Sequence, residues 1–123
     1  MIQQYHAILQ KSVDAGFVLV PALVPEERDL QGDIVSAEVI EQAAHDYMQE
    51  SQTVGLMHKA VAQGVVLVES YLARCDMEIE GTPVKKGTWL TGYRIYNQEL
   101  RAAILNGTFT GVSIGGEGVR TDG

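Results

Sequence analysis

The order of apolar and polar positions divides the chain into short strands and two helices. Gly16-Phe-Val-Leu-Val-Pro21 is a β-branched run closed by proline, which predicts a buried strand. Before it, Ile2, Tyr5, Ile8 and Leu9 suit a helical turn or an extended arm equally well, so Ile2 to Val13 carries no assignment. After it, Pro25-Glu-Glu-Arg-Asp-Leu-Gln-Gly-Asp33 is polar and punctuated by Pro and Gly, and predicts a loop. Ser36 then offers an N-cap, Glu38 sits where the helix dipole favours a carboxylate, and Ile40, Ala43, Ala44 and Tyr47 share one face. That spacing predicts a helix from Ala37 to Glu50.

Val54-Gly-Leu-Met-His58 and, past a break near Gly64, Val65-Val-Leu-Val-Glu-Ser-Tyr-Leu72 are too short and β-branched for helix and predict a second pair of strands. Glu80-Gly-Thr-Pro83 is turn chemistry, with Met77 and Ile79 leading in and Val84 leading out, as in a hairpin or a loop. From Thr88 to Tyr96, Trp89, Thr91 and Tyr93 alternate with Leu90, Gly92 and Arg94, the two-residue period of a strand. Asn97 caps a second helix with Leu100, Ala103 and Ile104 on one face, ending at Gly107, and Phe109 to Ile114 is the last strand. The sum is an α+β fold of about five or six strands and two helices. It forms one domain over residues 1–123, with 1–15 as an N-terminal arm and 117–123 as a glycine-rich end.

Composition narrows the function classes. With 46% hydrophobic and 20% charged residues, the chain has the makeup of a folded globule. Its apolar runs, Phe17 to Val20 and Val65 to Val68, fall far short of the roughly 20 residues of a spanning helix. No basic stretch followed by an apolar one opens the chain, so neither secretion nor membrane insertion is expected. Cys75 is the single cysteine, which excludes an internal disulfide and a zinc knuckle and fits a reducing, cytoplasmic setting. Nine Lys and Arg against sixteen Asp and Glu give a net charge of -7, and only Lys85 and Lys86 are adjacent, so nucleic acid is not an expected partner. Met77, Trp89 and Tyr93 read as core or wall residues, and no cofactor is implied. Asp29 and Asp33 read as caps of the loop and of the helix after it, and no metal site is expected.

Two kinds of side chain remain for chemistry. His45 lies within the first helix and His6 in the unassigned segment, and both read as structural. His58 ends a short apolar segment just before a loop, where an imidazole can reach a cleft while a strand holds its backbone. Gly111-Val-Ser113-Ile-Gly115 matches the G-x-S-x-G pattern that exposes a nucleophilic serine, but in that fold the acid and histidine follow the serine, and no histidine follows Ser113. Any base for Ser113 therefore lies upstream, and His58 with Ser113 is the pairing that puts both at strand ends. Spacing alone also accommodates a glycine turn in which Ser113 bonds its own backbone.

Four segments read together carry a resemblance: Asp29-Leu-Gln-Gly-Asp33-Ile-Val-Ser36, Leu56-Met-His58, Gly87-Thr-Trp89, and Leu105-Asn-Gly-Thr-Phe-Thr-Gly-Val-Ser113-Ile-Gly-Gly116. In this order they resemble the XkdF-like phage serine proteases. That family is related to the prohead proteases of tailed phages and, more remotely, to the herpesvirus assemblins. The resemblance implies a small mixed or antiparallel β-barrel flanked by helices. It implies an endopeptidase of capsid maturation, acting on scaffold and major capsid protein inside the assembling procapsid, in the cytoplasm of the bacterial host, and it leaves room for a homo-oligomer.

By the same resemblance His58 is the base and Ser113 the nucleophile. Backbone N–H groups of Ile114, Gly115 and Gly116 would hold the oxyanion, since glycine allows the close approach and unusual dihedrals of such a nest, with Arg120 a looser candidate. Related proteases place an acid or a second histidine after the serine, where this sequence offers Glu117 and Asp122. Either the third member has gone with a C-terminal segment or it lies upstream. Glu69 is the upstream choice, because it sits in the strand after His58 within an apolar run, and an outward-facing position is its plain alternative. Two further readings compete: a catalytically inactive module of the same fold that serves phage assembly or scaffold binding, and an unrelated α+β binding domain. The last would leave His58 and Ser113 far apart, whereas catalysis needs them within about 2.6–3.2 Å.

Overall fold

In the computed structural model, which describes residues 4–28, 31–53, 64–113 and 118–120, the run opening at Phe17 forms a strand, β3 (Phe17–Leu23), that passes through the proline expected to close it. Pro21 is tolerated because the ladder to β2 (Gln10–Lys11) covers only Val18 and Leu19. On its other side β3 pairs with β7 (Trp89–Ile95), and that register shifts between Pro21 and Leu23. With β4 (Val65–Leu72) these strands make a four-stranded antiparallel sheet in the order β2-β3-β7-β4.

The two-residue period of β7 sorts its side chains as the sequence requires. Trp89 and Ile95 enter the cores beneath the helices, while Leu90 enters a third core on the opposite face. Helix α1 (Ala37–Thr53) begins with the Val39 N–H donating to Ser36 Oγ at 3.3 Å and runs past Glu50. It lays Ile40 and Ala44 against Leu23, Leu72 and Trp89. Tyr47 meets Trp89 edge to face, with centroids 5.6 Å apart, and the Trp89 indole N–H donates to Ser70 Oγ at 3.0 Å. Such an aromatic pair adds about 0.5–1.5 kcal/mol to the burial itself. Helix α2 (Gln98–Leu105) is capped by Asn97, whose side chain accepts the Leu100 N–H at 3.1 Å, and it buries Ile104 beside Val18, Val20 and Ile95. The hairpin of β5 (Met77–Ile79) and β6 (Thr82–Val84) covers the other face through Val84 and Met77, against Leu19 and Leu90.

The remaining strands form a second sheet in the order β1-β8-β9, from β1 (Tyr5–Ala7), β8 (Phe109–Ser113) and β9 (Gly118–Arg120). The implied barrel is not what the described residues form: they make three antiparallel sheets, none of them closed. The N-terminal arm explains this. It pairs with β8 through Tyr5–Ala7, turns aside at Ile8 and Leu9, and pairs with β3 through only two residues, so it links the large sheets without a continuous ladder. The arm, the hairpin and β9 bring the strands to nine among the described residues, because segments of two or three residues show no period to read. The strand expected at Val54 to His58 lies outside the described residues. No helix among the described residues is long and apolar enough to cross a membrane.

Candidate active site

Ser113 is the last residue of β8, the central strand of its sheet. Its backbone pairs with Tyr5, while Val112 pairs with His6 and Gly111 with Ala7. Close approach of β1 requires glycine at position 111. A Cβ there would collide with the His6 carbonyl oxygen and would stand 3.0 Å from both Ala7 Cα and Tyr5 Cε2.

What fixes β1 in place is a buried amide. Gln4 is 2% exposed, and its Oε1 accepts the Val24 N–H at 2.8 Å while its Nε2 donates to the carbonyls of Val24 at 3.2 Å and Glu27 at 3.4 Å. The Val24 N–H can only donate, so the atom facing it is the amide oxygen. His6 Nε2 lies 2.7 Å from that same oxygen and must donate to it, which sets the Nε2–H tautomer and leaves the lone pair on Nδ1. Burial pushes the His6 pKa below its ordinary value, opposed by the Glu27 carboxylate, whose Oε2 is 3.8 Å from Nε2. The network is neutral at His6 and ties the arm beside β8 to the end of β3. Gln4 is not legible in the sequence, since no periodicity marks a single buried amide in an arm of this length.

The other sequence-derived candidates fall in three places. His58, Asp29, Ile114, Gly115 and Gly116 lie outside the described residues. Glu69 is solvent-exposed on β4, the edge strand of the four-stranded sheet, opposite Gly92 and next to a register shift between Leu67 and Glu69. Part of the apolar run around it is open to water, with Val68 49% and Tyr71 41% exposed, while Leu67 and Leu72 of the same strand are buried. Arg120 pairs with Phe109, four residues before Ser113 on β8, which sets the two backbones roughly 13 Å apart along the strand. His45 is exposed on α1 and Asp33 is exposed in its loop. Among the described residues, no group of three His, Cys, Asp or Glu side chains gathers as a metal site requires.

Comparison with known proteins adds to this geometry. The profile of the family described as "Putative phage serine protease XkdF" matches residues 6–122. Two proteins of Bacillus subtilis (strain 168) are similar. The "Phage-like element PBSX protein XkdF" is 35% identical over 92 residues, which is 75% of this chain and 33% of that protein. The "Uncharacterized protein YqbD" is 33% identical over 92 residues, 75% of this chain and 28% of that protein. The chain thus spans about a third of the curated relatives it matches. No solved structure matches.

Proposed function

This chain belongs to the XkdF family of phage serine proteases, and from that premise we propose that it is a Ser–His endopeptidase of phage capsid maturation, with Ser113 as nucleophile and His58 as general base. The observation that carries the reading is the family match across residues 6–122, which takes in both residues. The position of Ser113 supports it: it is the last residue of β8, with its backbone held in register against Tyr5 of β1.

In this mechanism His58 takes the Ser113 hydroxyl proton as that oxygen attacks the scissile carbonyl, then returns it to the leaving amine. The N–H groups of Ile114, Gly115 and Gly116 stabilise the oxyanion as it forms. Glu69 is the carboxylate to test as third member, by Glu69→Gln. The substrates are scaffold and major capsid protein, cleaved within the assembling procapsid in the host cytoplasm, where the chain works alone or as a homo-oligomer.

The test is to mix the protein with phage scaffold and major capsid protein and follow fragments by mass spectrometry. Cleavage by the wild type that is lost in Ser113→Ala supports the proposal. Intact substrates that nonetheless co-sediment with the protein replace it with the inactive assembly module.

A further inference from the structure

We infer that Gln4 is a positioning residue for the nucleophile: its buried side-chain amide seats β1, and β1 in turn sets where the Ser113 backbone stands. The inference rests on Ser113 being the nucleophile. Gln4 lies outside the residues matched by the family, 6–122, so the structure alone puts it forward.

The first step is the ladder at the end of β8. Gly111 and Val112 are paired on both sides, Gly111 with Ala7 and Val119, and Val112 with His6 and Gly118. The pairing with β9 ends at Val112. Among the described residues, Ser113 is therefore held in the sheet by β1 alone, through Tyr5. Where β1 goes the Ser113 backbone follows, and whatever its hydroxyl reaches is reached from that point.

The second step is what holds β1. Tyr5 sits between Gln4 and His6, and both neighbours belong to one network. The Gln4 Oε1 accepts the Val24 N–H and the His6 Nε2–H, while its Nε2 donates to the carbonyls of Val24 and Glu27. Val24 directly follows Leu23, which is buried in the core with Ile40 and Trp89, so the clamp is anchored to the best-packed part of the molecule. An apolar side chain in place of Gln4 could be buried in several ways. An amide whose acceptor and donors are all engaged fits in one. Gly111 completes the seat from the side of β8, since a Cβ there would collide with the His6 carbonyl oxygen and push β1 away.

The consequence falls on the chemical step. Misplacing a reacting group by about 1 Å costs on the order of 100-fold in rate. If Gln4 only stabilised the fold, its loss would lower the folded fraction and leave each folded molecule as reactive as before.

The experiment measures the saturating rate and the half-saturating concentration for fluorophosphonate labelling of Ser113, per folded molecule, with the folded fraction read by circular dichroism. It compares wild type, Gln4→Met, Gly111→Ala, the double variant and Ile40→Val, a control that trims the core under α1. Gln4→Met, which keeps the bulk and loses the amide, should lower the saturating rate about tenfold or more with the half-saturating concentration unchanged. Gly111→Ala should do the same, and the double variant should lose little beyond either single one, because both act through the seat of β1. Ile40→Val should label at the wild-type rate. Should Gln4→Met fail to fold, Gln4→Glu, which keeps the acceptor and loses the donors, decides in its place. A wild-type rate in the folded Gln4 variant, or an equal loss in Ile40→Val, overturns the positioning role while Ser113 stands as the nucleophile. A wild type that is not labelled at Ser113 removes the nucleophile, and this inference with it.

Discussion

The side-chain amide of Gln4 pairs with Val24 as a neighbouring strand would, accepting its N–H at 2.8 Å and donating to its carbonyl at 3.2 Å. The same amide accepts from His6, so one buried side chain fixes both the arm and the imidazole beside β8. Gln4→Ala strands the Val24 N–H in the interior and should lower stability by about 2–3 kcal/mol in urea unfolding. Gln4→Glu should be destabilising too, since an ionised carboxylate cannot donate to the Val24 carbonyl.

Gly111→Ala places a methyl against the His6 carbonyl and the Tyr5 ring. The contact with backbone cannot relax by a rotamer change, so β1 must move off β8. A loss of about 1–3 kcal/mol is expected, read as a lower thermal midpoint.

His6 makes stability depend on pH. Its folded pKa is below the ordinary 6.5, mainly through burial. Between the folded and unfolded pKa values the unfolded chain binds more protons, so stability rises with pH there. The contribution is complete above the unfolded pKa, declines as pH falls through about 6.5 and levels off below the folded pKa. The urea midpoint of wild type minus that of His6→Gln should therefore shrink from pH 7.5 to pH 5. Because Glu27 partly offsets the cost of charging His6, Glu27→Gln should steepen the wild-type decline.

The sequence reading and the structure agree where a regular period or a cap had a physical cause. The alternation of Trp89, Thr91 and Tyr93 with Leu90 and Gly92 marks the two faces of β7, and Ser36 and Asn97 cap helices where their short polar side chains fit. Agreement ends where tertiary context decides. Pro21 sits inside β3 because the ladder to β2 stops short of it, a fact about a strand of two residues that no pattern announces. Glu69 read as a carboxylate in an apolar run, but that run is an edge strand with Val68 and Tyr71 facing water. The strand read over Phe109 to Ile114 is found as Phe109–Ser113, whereas its neighbour β1 was not legible, because three residues show no period to read.

The most direct measurement is covalent labelling by a fluorophosphonate, mapped by mass spectrometry, on wild type, Ser113→Ala and His58→Ala. The account predicts modification at Ser113 in the wild type and none in either variant, because only a serine activated by a histidine base reacts at a useful rate. A folded wild type that stays unlabelled at Ser113, or labelling that survives His58→Ala unchanged, would contradict it.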